Sequence, residues 1–304
     1  MRVGYACVNT QLPSPARTTR LANATPERLR ELTAANLDAL EAILQWNEEQ
    51  GIQVFRLTSN LVPFASHMAN DLPWWDEFEV RLAAIGRLMK QMEARVSTHP
   101  AQYIVLSSER ADVVSAAVAE LEYHARLLRA FRLDASHKIV LHMSGRPVDA
   151  TVVRFKEGFA RLSADARSRL VIENDERWTL AKVLAACEPL GVPVVFDAFH
   201  HELAPSLDGS GFRHPVLRAS ETWRAWDGRQ EVHFSTQAPG RRPGAHAESL
   251  DDSAFSAFVD EVGDLPLDCV LEVKDKEQST LRALGLLRAR ELLRASSRPD
   301  ARGR

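Results

Sequence analysis

The chain has 304 residues, 45% of them hydrophobic and 26% charged, with a formal net charge of -3. This is the balance of an ordinary globular protein, without an apolar run near the ~20 residues of a membrane helix and without a general charge attraction to nucleic acid. A nucleic-acid partner would have to be held by local positive charge or by bound metal ions. Cys7, Cys187 and Cys269 are odd in number and lack metal-type spacing, so they read as reduced core thiols of a cytoplasmic protein. The N-terminus enters a strand-like run at once, without the basic segment or cleavage site of a secretion signal.

Two periods alternate along the chain. Short β-rich, apolar runs fall at 3–7, 53–57, 95–98, 138–142, 170–174, 193–199, 231–234 and 268–273. Such runs fit a parallel sheet covered on both faces. The first helix is expected to open with Thr25 as N-cap and Pro26 in its first turn. It turns Leu29, Leu32, Leu40, Ile43 and Leu44 inward and stops at Gly51. Further helical patterns lie at 77–94, 112–132, 151–163, 179–190, 252–262 and 278–295. Strands alternating with helices at this spacing predict one (β/α)8 TIM barrel over 1–295, with a short, frayed basic tail at 296–304. The lack of a G-x-G-x-x-G after the first strand argues against a dinucleotide fold.

The chemistry gathers where the strands end. His99 follows the third, His142 ends the fourth and Glu173 the fifth; Asp197 and His200 end the sixth, and Glu272 the eighth. Glu231 and His233 lie on the seventh strand, with His246 in the loop after it. In a (β/α)8 barrel these carboxyl ends share one mouth. So many buried imidazoles and carboxylates would be costly uncompensated, whereas divalent cations satisfy them together. Mixed nitrogen and oxygen donors suit Mn²⁺, Zn²⁺ or Fe²⁺, and the lack of thiolates disfavours a closed structural zinc site. His124, inside a helix, and His137, in a loop, read as structural, while His201 and His214 stay undecided. Trp74 and Trp75 are expected to pack over the barrel. No protein nucleophile stands out, since Cys7 has no dedicated histidine partner.

Nine segments then carry a family resemblance: 4–9 (GYACVN), 63–67 (PFASH), 99–103 (HPAQY), 141–143 (LHM), 173–176 (ENDE), 194–201 (VVFDAFHH), 232–237 (VHFSTQ), 242–247 (RPGAHA) and 272–278 (EVKDKEQ). In this order they resemble the UV damage endonucleases, a bacterial and fungal repair family related in fold to apurinic endonucleases of the endonuclease IV type. The resemblance implies a monomeric, nucleoid-associated enzyme that nicks double-stranded DNA directly 5′ to a UV photoproduct, leaving a 3′-hydroxyl and a 5′-phosphate. It implies two or three divalent ions, Mn²⁺ ahead of Zn²⁺, Mg²⁺ or Fe²⁺. Glu173 would bridge two of them, one completed by His99 and His142, the other by Asp197, His233 and Glu272. A third ion would rest on His200 and His246 with help from Glu231. His67 would be a further functional residue near the metals. Gln102 and Tyr103 match the pair that enters the duplex at the lesion, and Tyr5 and Asn9 match the same recognition surface.

The sequence departs from the family pattern at Glu231, where a relative carries a lysine read as carboxylated. The negative charge is kept on a shorter side chain. Arg17, Arg20, Arg241, Arg242, Lys274 and Lys276 are candidate phosphate contacts, with Lys274 also placed among the catalytic groups because it follows the eighth strand at the mouth. Two rival readings share the barrel: a metal-dependent sugar isomerase or epimerase, and a damage-binding protein without cleavage.

Overall fold

The structure, a computed structural model, describes residues 1–207 and 211–296. Its strands are β1 (Arg2–Ala6), β2 (Val54–Leu57), β3 (Arg95–Thr98), β4 (Lys138–His142), β5 (Leu170–Glu173), β6 (Val194–Asp197), β7 (Gln230–Phe234) and β8 (Leu267–Leu271). They close in sequence order into one parallel barrel, with β1 pairing β8. The helices are α1 (Pro26–Gln50), α2 (Trp74–Glu77), α3 (Glu79–Gln91), α4 (Ala111–Ala130), α5 (Asp149–Ala160), α6 (Ala164–Arg169), α7 (Leu180–Cys187), α8 (Ala198–Leu203), α9 (Arg213–Ser220), α10 (Asp252–Val262) and α11 (Glu277–Ser296). Among the described residues no helix is long and apolar enough to cross a membrane.

Local chemistry sets the element ends. Thr25 Oγ1 accepts from Arg28 N, Pro26 occupies the first turn of α1, and Gly51 closes it at φ 72°. Asp251 caps α10 by accepting from Ser253 N and Ala254 N. The expected helix over 77–94 starts earlier, at Trp74, and is broken at Phe78 between α2 and α3. The segment between β6 and β7, which the hydrophobic period left without a helix, holds α8 and α9; both are too short to establish a 3.6-residue period. Strand six stops two residues early because Asp197 caps α8 and bends the chain out of the sheet. Ser296 ends α11, so the expected tail loses its first residue, and 297–304 lies outside the described residues.

The strand period of two divides the core. Outward residues such as Ile139, Leu141, Ile172 and Phe196 join the large apolar cluster under the helices. Inside the barrel, Val140, Val171 and Val195 form one small apolar cluster, and Ala6, Val54 and Val270 another. Below this valine layer, toward the amino ends of the strands, lie ion pairs: Arg2 with Asp268 at 2.7 Å, and buried Lys138 with Asp227. Above it stand the imidazoles and carboxylates. β1 approaches β2 closely enough that a Cβ on Gly4 would lie 1.7 Å from Val54 O.

His137 belongs to the amino-end layer, where its Nδ1 accepts from Val96 N at 3.2 Å. Burial, reinforced by the Arg95 guanidinium, pushes its pKa down to about 4. The folded value lies below the unfolded value of about 6.5. The unfolded chain therefore takes up the proton first, and stability is lost as pH falls from 6.5 toward 4. His137→Gln is expected to reduce this acid loss by about 2 kcal/mol, read as the difference between urea melts of the two proteins at pH 7 and pH 4.5 in EDTA. Parallel losses in both proteins would overturn the assignment.

Candidate metal centre

Strand register assembles the site. His142 pairs across β4–β5 with Glu173, and Asp197 pairs across β6–β7 with His233, so four donors meet on two rungs of the sheet. Glu173 stands at the centre. Its Oε2 lies 3.0 Å from His99 Nε2 and 3.6 Å from His142 Nε2, while its Oε1 lies 2.7 Å from His233 Nδ1. His233 Nδ1 also faces Glu272 Oε1 at 3.5 Å and Asp197 Oδ2 at 3.9 Å. Among the described residues, three groups have donor atoms all within 4.8 Å of one another: His99–His142–Glu173, Glu173–His233–Glu272 and Glu173–Asp197–His200. Glu173 is common to all three.

Asp197 and His200 stand three residues apart across the start of α8. Asp197 Oδ1 accepts from His200 N at 2.6 Å, which leaves Oδ2 aimed at the cluster without a hydrogen-bond partner. His200 is therefore a first-turn helix residue, not part of the strand. Asn174 fixes the same corner, donating to Asp197 O and accepting from Asp197 N. His246 arrives from the β7–β8 loop, its Nε2 3.7 Å from Glu272 Oε2.

The electrostatics are those of a charged, largely buried cluster. Burial raises the pKa of Glu173, but His233 and His142 outweigh it and hold the carboxyl well below the usual range. Burial pushes Asp197 up to about 7, with Glu173 and Glu272 adding to the shift and His200 opposing it. Burial would lower His233 and His200, yet facing carboxylates bring them to about 10 and about 9. Cations bound here would replace those protons, and the orphaned Asp197 Oδ2 is a donor of the right kind. The residues thus fit divalent metal ions.

Several expected site residues lie elsewhere. Glu231 is not beside His200 and His246. It sits one strand step below the mouth, where its Oε1 accepts from Ser97 Oγ at 2.9 Å and faces His233 Nε2 at 3.1 Å. Lys274 turns away to pair with Glu248 on the surface, because its backbone is tied to Ala247 O and Glu248 O. His67 is exposed on the β2 loop, with Nδ1 accepting from Ala69 N. Tyr5 is fully buried, its hydroxyl donating to Asn47 Oδ1 and accepting from Asn9 Nδ2, so neither it nor buried Asn9 offers a contact surface. Both brace the β1 loop instead.

The mouth is a cavity of about 990 Å³, at the upper end for small-molecule pockets, whose lining includes His99, Gln102, His142, His200, Arg242 and Glu272. Tyr103, next to Gln102, is 77% exposed. Arg17, Arg20 and Arg241 are exposed and Lys276 is half-buried; unlike Arg242, they do not line this cavity. Sequence reasoning missed Arg56, whose Nη1 donates to Glu272 Oε1 at 2.5 Å and whose Nη2 lies 2.6 Å from His233 Nε2. It also missed Asp175, 3.7 Å from His142 Nδ1, and Glu176, 3.2 Å from His200 Nδ1. A charged residue inside the buried run VFRL was the available signal for Arg56. Among the histidines outside the cluster, His124 pairs with Glu120, and buried His201 packs on Phe196. Trp74 packs edge-on against Tyr123, and Trp75 lies under Arg126. Cys187 and Cys269 are buried free thiols; Cys7 is half-buried by exposure, and desolvation of its thiol pushes its pKa up.

Comparison with known proteins accords with this geometry. The family model "UV-endonuclease UvdE" matches residues 1–297. A UV DNA damage endonuclease of Clostridium perfringens is 34% identical over 95% of this chain and 71% of its own length. A UV-damage endonuclease of Schizosaccharomyces pombe is 31% identical over 91% of this chain, which spans 49% of the fungal protein. The crystal structure of SacUVDE covers 96% of this chain and 99% of its own at 36% identity and a TM-score of 0.90. Endonuclease IV from Thermus thermophilus and a D-psicose 3-epimerase share the fold alone, at 14% and 15% identity and TM-scores of 0.56 and 0.53. A match along the whole barrel, together with close structural agreement, places this chain in the UV damage endonuclease family.

Proposed function

We propose that the chain is a metal-dependent DNA repair endonuclease that nicks double-stranded DNA directly 5′ to UV photoproducts, leaving a 3′-hydroxyl and a 5′-phosphate. The observation that carries this reading is Glu173, whose two oxygens face separate donor sets at the open carboxyl mouth of the barrel. Two or three divalent ions fit these donors, with Mn²⁺ as the first choice and Zn²⁺, Mg²⁺ or Fe²⁺ as alternatives. Such cations supply a nucleophile from water at neutral pH and offset charge on the leaving oxygen. The protein's share is to hold His99, His142, Asp197, His233 and Glu272 around Glu173, and to present Arg242 at the rim as a phosphate contact.

Substrate choice rests on the β3 loop. A photoproduct is poorly stacked, which lowers the cost of extruding its bases. Tyr103, 77% exposed and next to Gln102, would fill the gap that extrusion leaves. Base–aromatic stacking contributes ~1–3 kcal/mol, so the double substitution Gln102→Ala, Tyr103→Ala is expected to lower selectivity for damaged over intact duplex roughly tenfold or more. Competition binding with irradiated and unirradiated duplexes measures this, and unchanged selectivity would remove the wedge role.

The direct test of function is incubation of the protein with an end-labelled, irradiated duplex and Mn²⁺, beside unirradiated and EDTA controls. A nick directly 5′ to the lesion in the complete reaction alone supports the proposal. Binding without a nick favours a damage-binding protein, and neither binding nor nicking returns the barrel to small sugars.

A further inference from the structure

Each histidine that faces Glu173 presents one ring nitrogen to it and the other to an oxygen behind. His99 offers Nε2 and holds Nδ1 against Pro100 O at 3.0 Å. His142 offers Nε2 and points Nδ1 at Asp175 Oδ2, 3.7 Å away. His233 is turned the other way, with Nδ1 on Glu173 Oε1 and Nε2 3.1 Å from Glu231 Oε1. A neutral imidazole bound to a cation through Nδ1 must carry its proton on Nε2. That proton needs an acceptor, and the other group at hand, the Arg56 guanidinium, can only donate.

We infer that Glu231 is a positioning residue: it accepts the His233 Nε2 proton, fixes the ring with Nδ1 toward Glu173, and is not itself a metal ligand. Three observations carry this. Glu231 falls in none of the three donor groups, although His233 falls in one. Its Oε1 is shared between Ser97 Oγ and His233, and its Oε2, though without a hydrogen-bond partner, belongs to a residue too deep to join any donor group. It is 1% exposed and shares a strand face with His233, one step deeper in the barrel. Carboxylates behind ligating histidines fix the ring's tautomer and raise its basicity, and their loss lowers metal affinity by roughly 10–100-fold. The inference rests on the metal reading of the site but not on the nature of the substrate.

The test is titration of EDTA-stripped protein with Mn²⁺, read as ions bound per chain and as affinity, with thermal melts beside it. Wild type, Glu231→Gln and Glu231→Ala are expected to bind the same number of ions. Glu231→Ala should bind at least one of them roughly 10–100-fold more weakly, and Glu231→Gln, which keeps an oxygen acceptor in place, should recover most of that loss. If Glu231→Ala binds one ion fewer with the others unchanged, Glu231 is a ligand and the inference falls. It falls equally if Glu231→Ala binds as wild type does, or if Glu231→Gln, folded by its melt, is as impaired as Glu231→Ala. A wild type that binds no Mn²⁺ would instead overturn the metal reading itself.

Discussion

Glu173→Gln is expected to lower cleavage of irradiated duplex on the order of 10³-fold while leaving damage binding within a few-fold of wild type. The substitution keeps the shape of the side chain and removes the one charge that faces every donor group. Removing one preorganised electrostatic group from a transition state typically costs ~3–4 kcal/mol, and each ~1.4 kcal/mol lost there is a factor of ten in rate. Binding should survive because, of the groups assigned to it, Gln102 and Arg242 line the cavity and exposed Tyr103 follows Gln102 in the chain, while Glu173 is only 1% exposed. The same substitution should also lower metal content, since the amide is a poorer ligand for two cation sites at once. Single-turnover cleavage with and without excess Mn²⁺, beside a gel-shift with the same duplex, reads both effects. A variant that still cuts at a wild-type rate would remove Glu173 from the centre of the chemistry, whereas loss of binding as well would place it in recognition.

What the sequence made legible follows from which physical signals are local. α1 could be drawn from Thr25, Pro26 and Gly51 because caps act over three or four residues. His142, Glu173 and Asp197 could be gathered because each ends a strand and a parallel barrel sends all such ends to one mouth. Residues beyond the strands followed no such rule. Lys274 lies two residues past Glu272, yet its backbone bonds to the Ala247 loop turn its side chain outward to Glu248. Tyr5 and Asn9 match the family pattern but act from within the core, through Asn47 of α1, a contact fixed only by the packing of α1 on β1. The depth of Glu231 and the presence of Arg56 at the site were not legible for a shared reason. The two residues point into the barrel one pleat below and level with the ligands, and an apolar run read as buried on both faces does not show which of its members face the interior.

Arg56 is where that omission has the largest consequence. Arg56 is 5% exposed, with its guanidinium set against Glu272 and close to His233; Glu272, Glu231 and Glu173 hold its pKa above the usual value against the opposing effect of burial. Arg56→Met keeps much of the side-chain volume but leaves the carboxylates short of one positive charge. Stranding a buried charge typically costs ~3–5 kcal/mol, and about 2–4 °C of melting temperature accompanies each kcal/mol in chains of 150–250 residues. The metal-free variant is therefore expected to melt roughly 10 °C below metal-free wild type. Divalent cations supply charge to the same oxygens, so saturating Mn²⁺ should close a large part of the gap, and the Mn²⁺-induced rise in melting temperature should be greater for Arg56→Met than for wild type. Glu272→Gln introduced into Arg56→Met should also restore stability in EDTA, because it removes the stranded charge. Calorimetry in EDTA and in Mn²⁺ separates the alternatives: an equal deficit in both buffers would mean that Arg56 acts through packing, and a deficit relieved by either the cation or the Glu272 substitution would mean that it acts through charge.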